Sequence, residues 1–122
     1  MKVYVAHSAS IDYQNMIYKP LKSEVFPNQC EMIFPHDGVD NVMNSRGDYR
    51  GIDVVIAECS EPSTGMGIEL GWFYDDKVPI FGFYRAGTEP SDAIKVVAKG
   101  MIEYIDEGDF VKKVKNIIKL SI

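Results

Sequence analysis

Short runs of apolar, β-branched and aromatic residues alternate along the chain with stretches whose apolar residues recur at helical spacing. The run DVVIA at 53–57 has the pattern of a fully buried strand. In 109–120, apolar residues fall on one helical face and lysines on the other, which predicts an amphipathic helix. Pro20 interrupts the helical pattern of 12–26, and we expect it to kink that helix or to begin a second segment. The whole pattern predicts strands at 2–6, 30–34, 53–57, 79–84 and 101–105, helices at 12–26, 67–74, 90–98 and 109–120, and a short or irregular helix within 39–49.

These elements form five successive β-α units, and the 122 residues suit one domain spanning 1–122. Strands that alternate with helices favour a parallel sheet covered by helices on both faces. We therefore expect an α/β fold, a flavodoxin-like or Rossmann-like three-layer sandwich with a five-stranded parallel sheet. Ligands of such sheets bind beyond the carboxyl ends of the strands. Candidate site residues are therefore sought in the loops after Ala6, Phe34, Ala57 and Tyr84.

The chain is acidic, with 18 Asp and Glu against 13 Lys and Arg, a net charge of −5 and no run of basic residues. Binding of a nucleic-acid polymer is not expected, because attraction to many phosphates needs clustered basic side chains. A single phosphate is compatible with this charge, since backbone N–H groups and hydroxyls can hold it. The composition therefore leaves small phosphorylated ligands open.

The spacing of cysteines and histidines indicates neither a metal site nor a redox motif. Cys30 and Cys59 form no CxxC pair and lie beside apolar runs, so we expect them to be buried small hydrophobes. His7 and His36 are isolated in the sequence, and the setting of His36, FPHDG, is typical of a turn. No stretch approaches the roughly 18 apolar residues of a membrane span, and the N-terminus lacks a long apolar signal region. We expect a soluble, cytoplasmic protein with no membrane partner.

The loops after the first and third predicted strands are rich in hydroxyls and glycines. Ser8 and Ser10 follow the first strand, where small residues let the backbone approach a ligand, although Ser10 could equally cap the next helix. After the third strand, residues 58–71 combine three glycines, several hydroxyls and a proline, without a Walker loop or the dinucleotide GxGxxG spacing. Glu69 is expected just inside the following helix. Its charge would either stabilise the helix end or act at the anomeric carbon of a sugar.

Residues 53–85 carry a long, gap-free pattern. It reads D-V-V-x-A-E-x-x-x-P-S-x-G-x-G-x-E-L-G and resembles the nucleoside 2-deoxyribosyltransferase family. Within that family, the closer likeness is to the 2′-deoxynucleoside 5′-phosphate N-hydrolase branch. The likeness extends more weakly from Val3 through to the terminal helix.

The resemblance implies roles for the residues around the bond to be cleaved. Glu69 matches the catalytic glutamate that attacks the anomeric carbon and forms a glycosyl-enzyme intermediate. Tyr4, on the first strand, matches a tyrosine that lies near this glutamate. Ser8 and its neighbours, Ser10 among them, match the loop that holds the sugar and base.

The resemblance also implies a site for a 5′-phosphate. Ser63 matches a serine that binds this phosphate in the hydrolase branch, and Gly65 and Gly67 lie in the same glycine-rich stretch as further candidates for substrate binding. Ser91, placed with a small gap, matches a second phosphate serine that reaches the site from the neighbouring subunit. This match implies a homodimer.

Two positions depart from the family pattern. The hydrolase branch has an arginine shortly after the first-strand serine, where this chain offers Ser10. It also has an acid–base aspartate eight residues before the strand aspartate, and counting back from Asp53 gives Ser45. Asp48, with Asp40 as the alternative, is the candidate that would protonate the departing base.

The matches together imply hydrolysis of the N-glycosidic bond of a (deoxy)nucleoside 5′-monophosphate, with no metal or cofactor. One alternative is a nucleoside 2-deoxyribosyltransferase, in which a second base replaces water as the acceptor. Another, of a different class, is a non-catalytic nucleotide-binding sensor. The missing arginine and displaced aspartate would suit a sensor, whereas the presence of Glu69 would not.

Overall fold

The computed structural model describes residues 1–27, 29–37 and 46–121, apart from the side chains of residues 46 and 48, and within these ranges five strands form one sheet. Every neighbouring pair is parallel. The strands lie in the order second, first, third, fourth, fifth. This sheet, with helices on both faces, confirms the predicted α/β fold of the flavodoxin-like three-layer type. The strands are β1 (Lys2–Ala6), β2 (Glu31–Ile33), β3 (Val54–Glu58), β4 (Ile80–Arg85) and β5 (Gly100–Tyr104).

In the described residues, four α-helices, one π-helical turn and one 3₁₀ turn lie between the strands or after the last one. The predicted helix at 12–26 is divided at Pro20, which lies in the first turn of an α-helical piece where its missing N–H has no intrahelical role. The preceding piece is a π-helical turn, in which the N–H of Lys19 donates to the carbonyl of Gln14. The helices are α1 (Lys19–Lys22), α2 (Thr64–Asp75), α3 (Asp92–Val97) and α4 (Glu107–Ser121), with a π-helical turn at Gln14–Tyr18 and a 3₁₀ turn at Arg46–Tyr49.

Alternate residues of β1 and β3 face opposite sides of the sheet, and both sides are buried. Val3 and Val5 pack in a layer with α1 and α4, whereas Tyr4 and Ala6 pack in the layer that contains α2 and α3. All five residues of β3 are buried, as expected for a central parallel strand. The period of two therefore places Tyr4 beneath α2.

Helix α2 begins three residues earlier than the predicted start at residue 67. Ser63 caps it: the Ser63 backbone is extended (φ −151°, ψ 122°) and its hydroxyl accepts the N–H of Met66 at 3.3 Å. Gly65 therefore belongs to the helix and not to the loop, which corrects the sequence expectation, whereas Gly67 lies in the helix as predicted. Burial of Met66, Leu70 and Phe73 along its inner face stabilises the helix despite its glycines.

Helix α3 is shorter than the predicted 90–98. Ser91 is its N-cap, with the Ser91 hydroxyl accepting the N–H of Ala93 at 3.3 Å, so Pro90 lies before the helix and not in its first turn. Cys59 is buried as predicted, and burial raises the pKa of its thiol to about 12, whereas Cys30 is only half-buried. In the part of the chain that the structure describes, no helix has the length and apolar character needed to cross a membrane.

Replacement of Ile118 by alanine tests the packing of α4 against the sheet. Ile118 is fully buried, so Ile118→Ala is expected to lower the free energy of unfolding by about 2–5 kcal/mol. Leu120, two residues along the same helix, is 84% exposed, and Leu120→Ala should change it by less than about 0.5 kcal/mol. Urea denaturation of both variants measures the difference, and equal losses would contradict this packing of α4.

Candidate active site

A pocket of about 340 Å³ opens at the carboxyl end of β1, beside β3. The strand connections reverse direction at this point of the sheet, which is where open α/β sheets place their ligands. The loop after β1 contributes Ala9 to its wall, and the loop after β2 contributes Pro35. The loop after β3 contributes Ser63, so three of the four loops singled out from the sequence meet at this pocket. Its remaining walls include the side chains of Tyr4, His7, His36, Tyr49, Glu69 and Trp72.

Glu69 lies in the second turn of α2 and lines this pocket. The dipole of a helix acts mainly within its first turn, where α2 has no acidic residue, so helix-end stabilisation does not account for Glu69. Its oxygen Oε2 accepts two hydrogen bonds, one from the hydroxyl of Tyr4 and one from the hydroxyl of Tyr49 at 2.8 Å. In the described part of the chain, no hydrogen bond reaches Oε1. The carboxylate is thus fixed through one oxygen and can use the other.

The two tyrosines are held by a cluster of aromatic rings. The rings of Tyr4 and Tyr49 lie 5.4 Å apart, and each packs on Phe73, at 5.1 and 5.2 Å respectively. Tyr4 is fully buried. Burial, followed by the negative charge of Glu69, raises the pKa of Tyr4 well above its usual range, so its hydroxyl stays protonated and remains a donor. Proximity of Tyr4 to Glu69, implied by the family resemblance, is therefore present in the structure.

His7, which the sequence left as an isolated residue, is buried in the pocket wall. Its Nδ1 lies 2.9 Å from the carbonyl oxygen of Ser8 and its Nε2 lies 2.7 Å from the hydroxyl of Tyr18. Because a carbonyl can only accept, Nδ1 carries the proton and Nε2 accepts from Tyr18. The Tyr18 oxygen accepts in turn from the backbone N–H of His36 at 3.0 Å. This chain of hydrogen bonds joins the two loops that wall the pocket.

Burial lowers the pKa of His7 to about 4, so the imidazole is neutral at neutral pH. The two histidines are not isolated in space: their ring centroids lie 5.1 Å apart, and the ring of Tyr13 stacks on His7 at 4.5 Å. His36 lies in a turn, as its sequence setting indicated. The wall on this side of the pocket is therefore aromatic.

Ser8 and Ser10 shape the loop after β1 but do not line the pocket of Glu69. The hydroxyl of Ser8, which is buried, lies 2.8 Å from that of Ser10 and accepts the Ser10 N–H at 3.1 Å. Ser10 does not cap the next helical segment, whose N-cap is Tyr13 without a side-chain hydrogen bond. In this chain the pair closes a hydroxyl turn.

Glu58, at the end of β3, anchors the loop that leads to Ser63. Although fully buried, its carboxylate accepts the N–H of Ser60 at 2.7 Å, the Ser60 hydroxyl at 2.8 Å and the hydroxyl of Tyr104. The Ser60 hydroxyl also accepts the N–H of Arg85 at 2.8 Å. These bonds satisfy a buried charge and fix the chain between β3 and α2.

The two serines expected to bind a phosphate, and the two glycines expected to bind substrate, are divided between two adjoining pockets. Ser63 and Gly65 line the pocket of Glu69. Ser63 also lines a second pocket of about 350 Å³, together with Gly67 and Ser91. Within its own chain, Ser91 therefore lies in the neighbouring pocket and not in the pocket of Glu69.

The side chains of the two candidate proton donors, Asp48 and Asp40, lie outside the part of the chain that the structure describes. Asp48 belongs to the 3₁₀ turn Arg46–Tyr49, but its side chain lies outside the described residues, and so does the whole of Asp40. The turn ends at Tyr49, which lines the pocket. Among the described residues, no group of three or more His, Cys, Asp or Glu could hold a metal ion.

Comparison of the chain with protein-family models finds no match, and a search of curated proteins finds no similar sequence. The resemblance to the deoxyribosyltransferase family therefore remains a hypothesis, to be weighed with the geometry of the pocket.

Acid titration of the wild-type protein and of His7→Gln tests the buried, neutral imidazole. An unfolded histidine has a pKa near 6.5, whereas the pKa of folded His7 is about 4. Between these two pH values His7 is protonated in the unfolded chain but not in the folded protein. Stability should therefore fall as the pH drops through this window and level off below it, with a total loss from His7 of about 3 kcal/mol. His7→Gln lacks this titration, and urea denaturation at each pH should show a shallower decline. Parallel pH profiles would refute the assignment.

Proposed function

We propose that the protein hydrolyses the N-glycosidic bond of nucleoside 5′-monophosphates, with deoxynucleotides as the favoured class, and releases a free base and a sugar 5-phosphate. The observation that carries this proposal is the Glu69 carboxylate, which lines a pocket at the switch point of the sheet with Oε2 bound by two tyrosine hydroxyls. The family resemblance supplies the substrate class. Aromatic walls suit a planar base, and a single carboxylate suits a reacting anomeric carbon.

The reaction proceeds by two displacements. Glu69 attacks C1′, the C1′–N bond breaks with its electron pair going to the base nitrogen, and Asp48, or Asp40, gives that nitrogen a proton. A glycosyl ester of Glu69 results. Water, deprotonated by the same aspartate, then attacks C1′ and returns the electron pair of the ester bond to Glu69. Two inversions leave the configuration at C1′ retained.

The phosphate would be held without a cationic side chain. Ser63 caps α2, a helix of 12 residues, so its hydroxyl and the free N–H groups of the first turn lie at the same end of the pocket. This arrangement suits a chain of net charge −5. A phosphate bound there would tether the substrate with its sugar toward Glu69.

A second copy of the chain would supply Ser91. Support comes from the position of Ser91 in its own chain, where it lines the pocket adjoining that of Glu69 and not the pocket itself. Helix α2 also leaves Ile68, which lines the Glu69 pocket, 52% exposed. Packing of Ile68 against a partner would bury it and bring two sites together.

Incubation of the purified protein with dGMP or dCMP tests the proposed reaction. Free base should appear without any acceptor, and Glu69→Gln should lower the rate by about 10³-fold or more because the nucleophile is lost. Glu31→Gln, an exposed carboxylate on β2, is the matched control and should retain full activity. Chromatography of the products measures both.

Three results would overturn parts of this proposal. Base release that needs a second base, or that occurs only from unphosphorylated nucleosides, would identify a deoxyribosyltransferase. Calorimetric binding of a nucleotide with no base released would identify a sensor. Undiminished turnover by Glu69→Gln would remove Glu69 from the role of nucleophile.

Mixing two defective variants tests whether Ser91 acts across a dimer. Ser91→Ala should lower kcat/KM by about 10–100-fold through loss of a hydrogen bond to a charged group. After subunit exchange with Glu69→Gln, half of the dimers are mixed, and each has one site with both residues intact, so about a quarter of the sites should regain activity. Recovery is measured at low substrate concentration. A monomer in sedimentation, or no recovery in a confirmed mixed dimer, would contradict the shared site.

A further inference from the structure

We propose that Tyr49 is a positioning residue that, with Tyr4, reserves Oε1 of Glu69 for attack and speeds release of the sugar from the glycosyl intermediate. This inference rests on the proposed hydrolysis through Glu69. Tyr49 lies outside the stretch that carries the family pattern, and nothing in the order of residues around it, GDYRGI, points to chemistry. The structure alone brings its hydroxyl to the carboxylate.

The hydroxyl of Tyr49 is held in place independently of any substrate. It lies 2.8 Å from Oε2 of Glu69, and the side chain is 5% exposed. Its ring meets that of Phe73 edge-on at 5.2 Å and 85°, and also contacts the rings of Tyr4 at 5.4 Å and Trp72 at 5.5 Å. A ring enclosed on these sides has few alternative rotamers. The donor is therefore present before the reaction begins.

Two donors on one oxygen make the two oxygens of Glu69 unequal. Oε2 receives the hydroxyls of both tyrosines, whereas no described residue donates to Oε1. Since lone pairs engaged in hydrogen bonds are poorer nucleophiles, attack on C1′ comes from Oε1. The ester then has Oε1 as its bridging oxygen and Oε2 as its carbonyl oxygen, which can keep accepting from both tyrosines.

The two hydrogen bonds affect the two chemical steps in opposite ways. When Glu69 attacks, its negative charge is lost and the bonds to Oε2 weaken. When water breaks the ester, the electron pair of the C1′–Oε1 bond returns to the carboxylate, charge grows on Oε2 and both bonds strengthen. Loss of one donor therefore leaves a better nucleophile but a poorer leaving group. Removal of the Tyr49 hydroxyl should slow the second step selectively.

Pre-steady-state base release by Tyr49→Phe tests this selectivity, with the nucleotide that the wild-type protein turns over best. The variant should release a burst of about one base per site before steady state, because the intermediate accumulates. The value of kcat should fall by about 10-fold or more while kcat/KM, which is set by the first step, changes by less than about 3-fold. Mass spectrometry of acid-quenched protein should show the glycosyl adduct.

Two further variants complete the experiment. Tyr4→Phe should produce the same burst, since both hydroxyls serve Oε2, and it is the second test if Tyr49→Phe does not fold. Tyr74→Phe, an exposed tyrosine on the same helix as Glu69, is the matched control and should leave the kinetics unchanged.

The outcomes separate this inference from the proposed function. Parallel losses in kcat and kcat/KM without a burst would make Tyr49 a structural residue only, and unchanged kinetics would remove any role for its hydroxyl. Either result leaves hydrolysis by the wild-type protein intact. If the wild-type protein releases no base from any nucleotide or nucleoside, the proposed function is wrong, and the inferred role of Tyr49 is then also wrong.

Discussion

The structure depends on a sheet whose central strands are buried on both faces. Side chains along β1 must then enter one helical layer or the other, and the period of two sends Tyr4 into the layer of α2. A tyrosine hydroxyl buried there needs a partner, because an unbonded polar group away from water is costly. Glu69 is that partner. The contact that fixes the candidate nucleophile is thus a consequence of the strand's alternation.

The sequence predicted the architecture well because strong periodicity carries it. All five strands were placed to within about two residues, and α4 was found from its apolar face. Helix α2 was predicted to begin three residues too late, since Gly65 and Gly67 each disfavour a helix by about 1 kcal/mol relative to alanine. The cap at Ser63 and the burial of Leu70 outweigh that preference. The three added residues put Glu69 in the second turn, where it faces Tyr4.

The site was predictable only in part, because its contacts join residues far apart in the chain. Glu69, Tyr4 and Ser63 were found through a local pattern and its family resemblance. Tyr49 and His7 were not, since a tyrosine in a short turn and a single histidine after a strand carry no spacing signal. The hydrogen bond between Tyr49 and Glu69 joins residues 20 positions apart in the sequence, and the one between His7 and Tyr18 joins residues 11 positions apart. Only the packing of the layers brings these groups together.

Burial shifts the pKa values of two side chains of the pocket in opposite directions, and both side chains are neutral as a result. It lowers the pKa of His7 and raises that of Tyr4, so that both side chains are neutral at neutral pH. In the proposed reaction, positive charge develops at the anomeric carbon as the base departs. A cationic His7 in the wall would oppose that charge, whereas neutral rings leave Glu69 to stabilise it in a site of low polarity. Burial keeps His7 neutral, and its Nε2 accepts from Tyr18, whose oxygen accepts in turn from the N–H of His36. In the proposed reaction this arrangement would keep a positive charge away from the anomeric carbon.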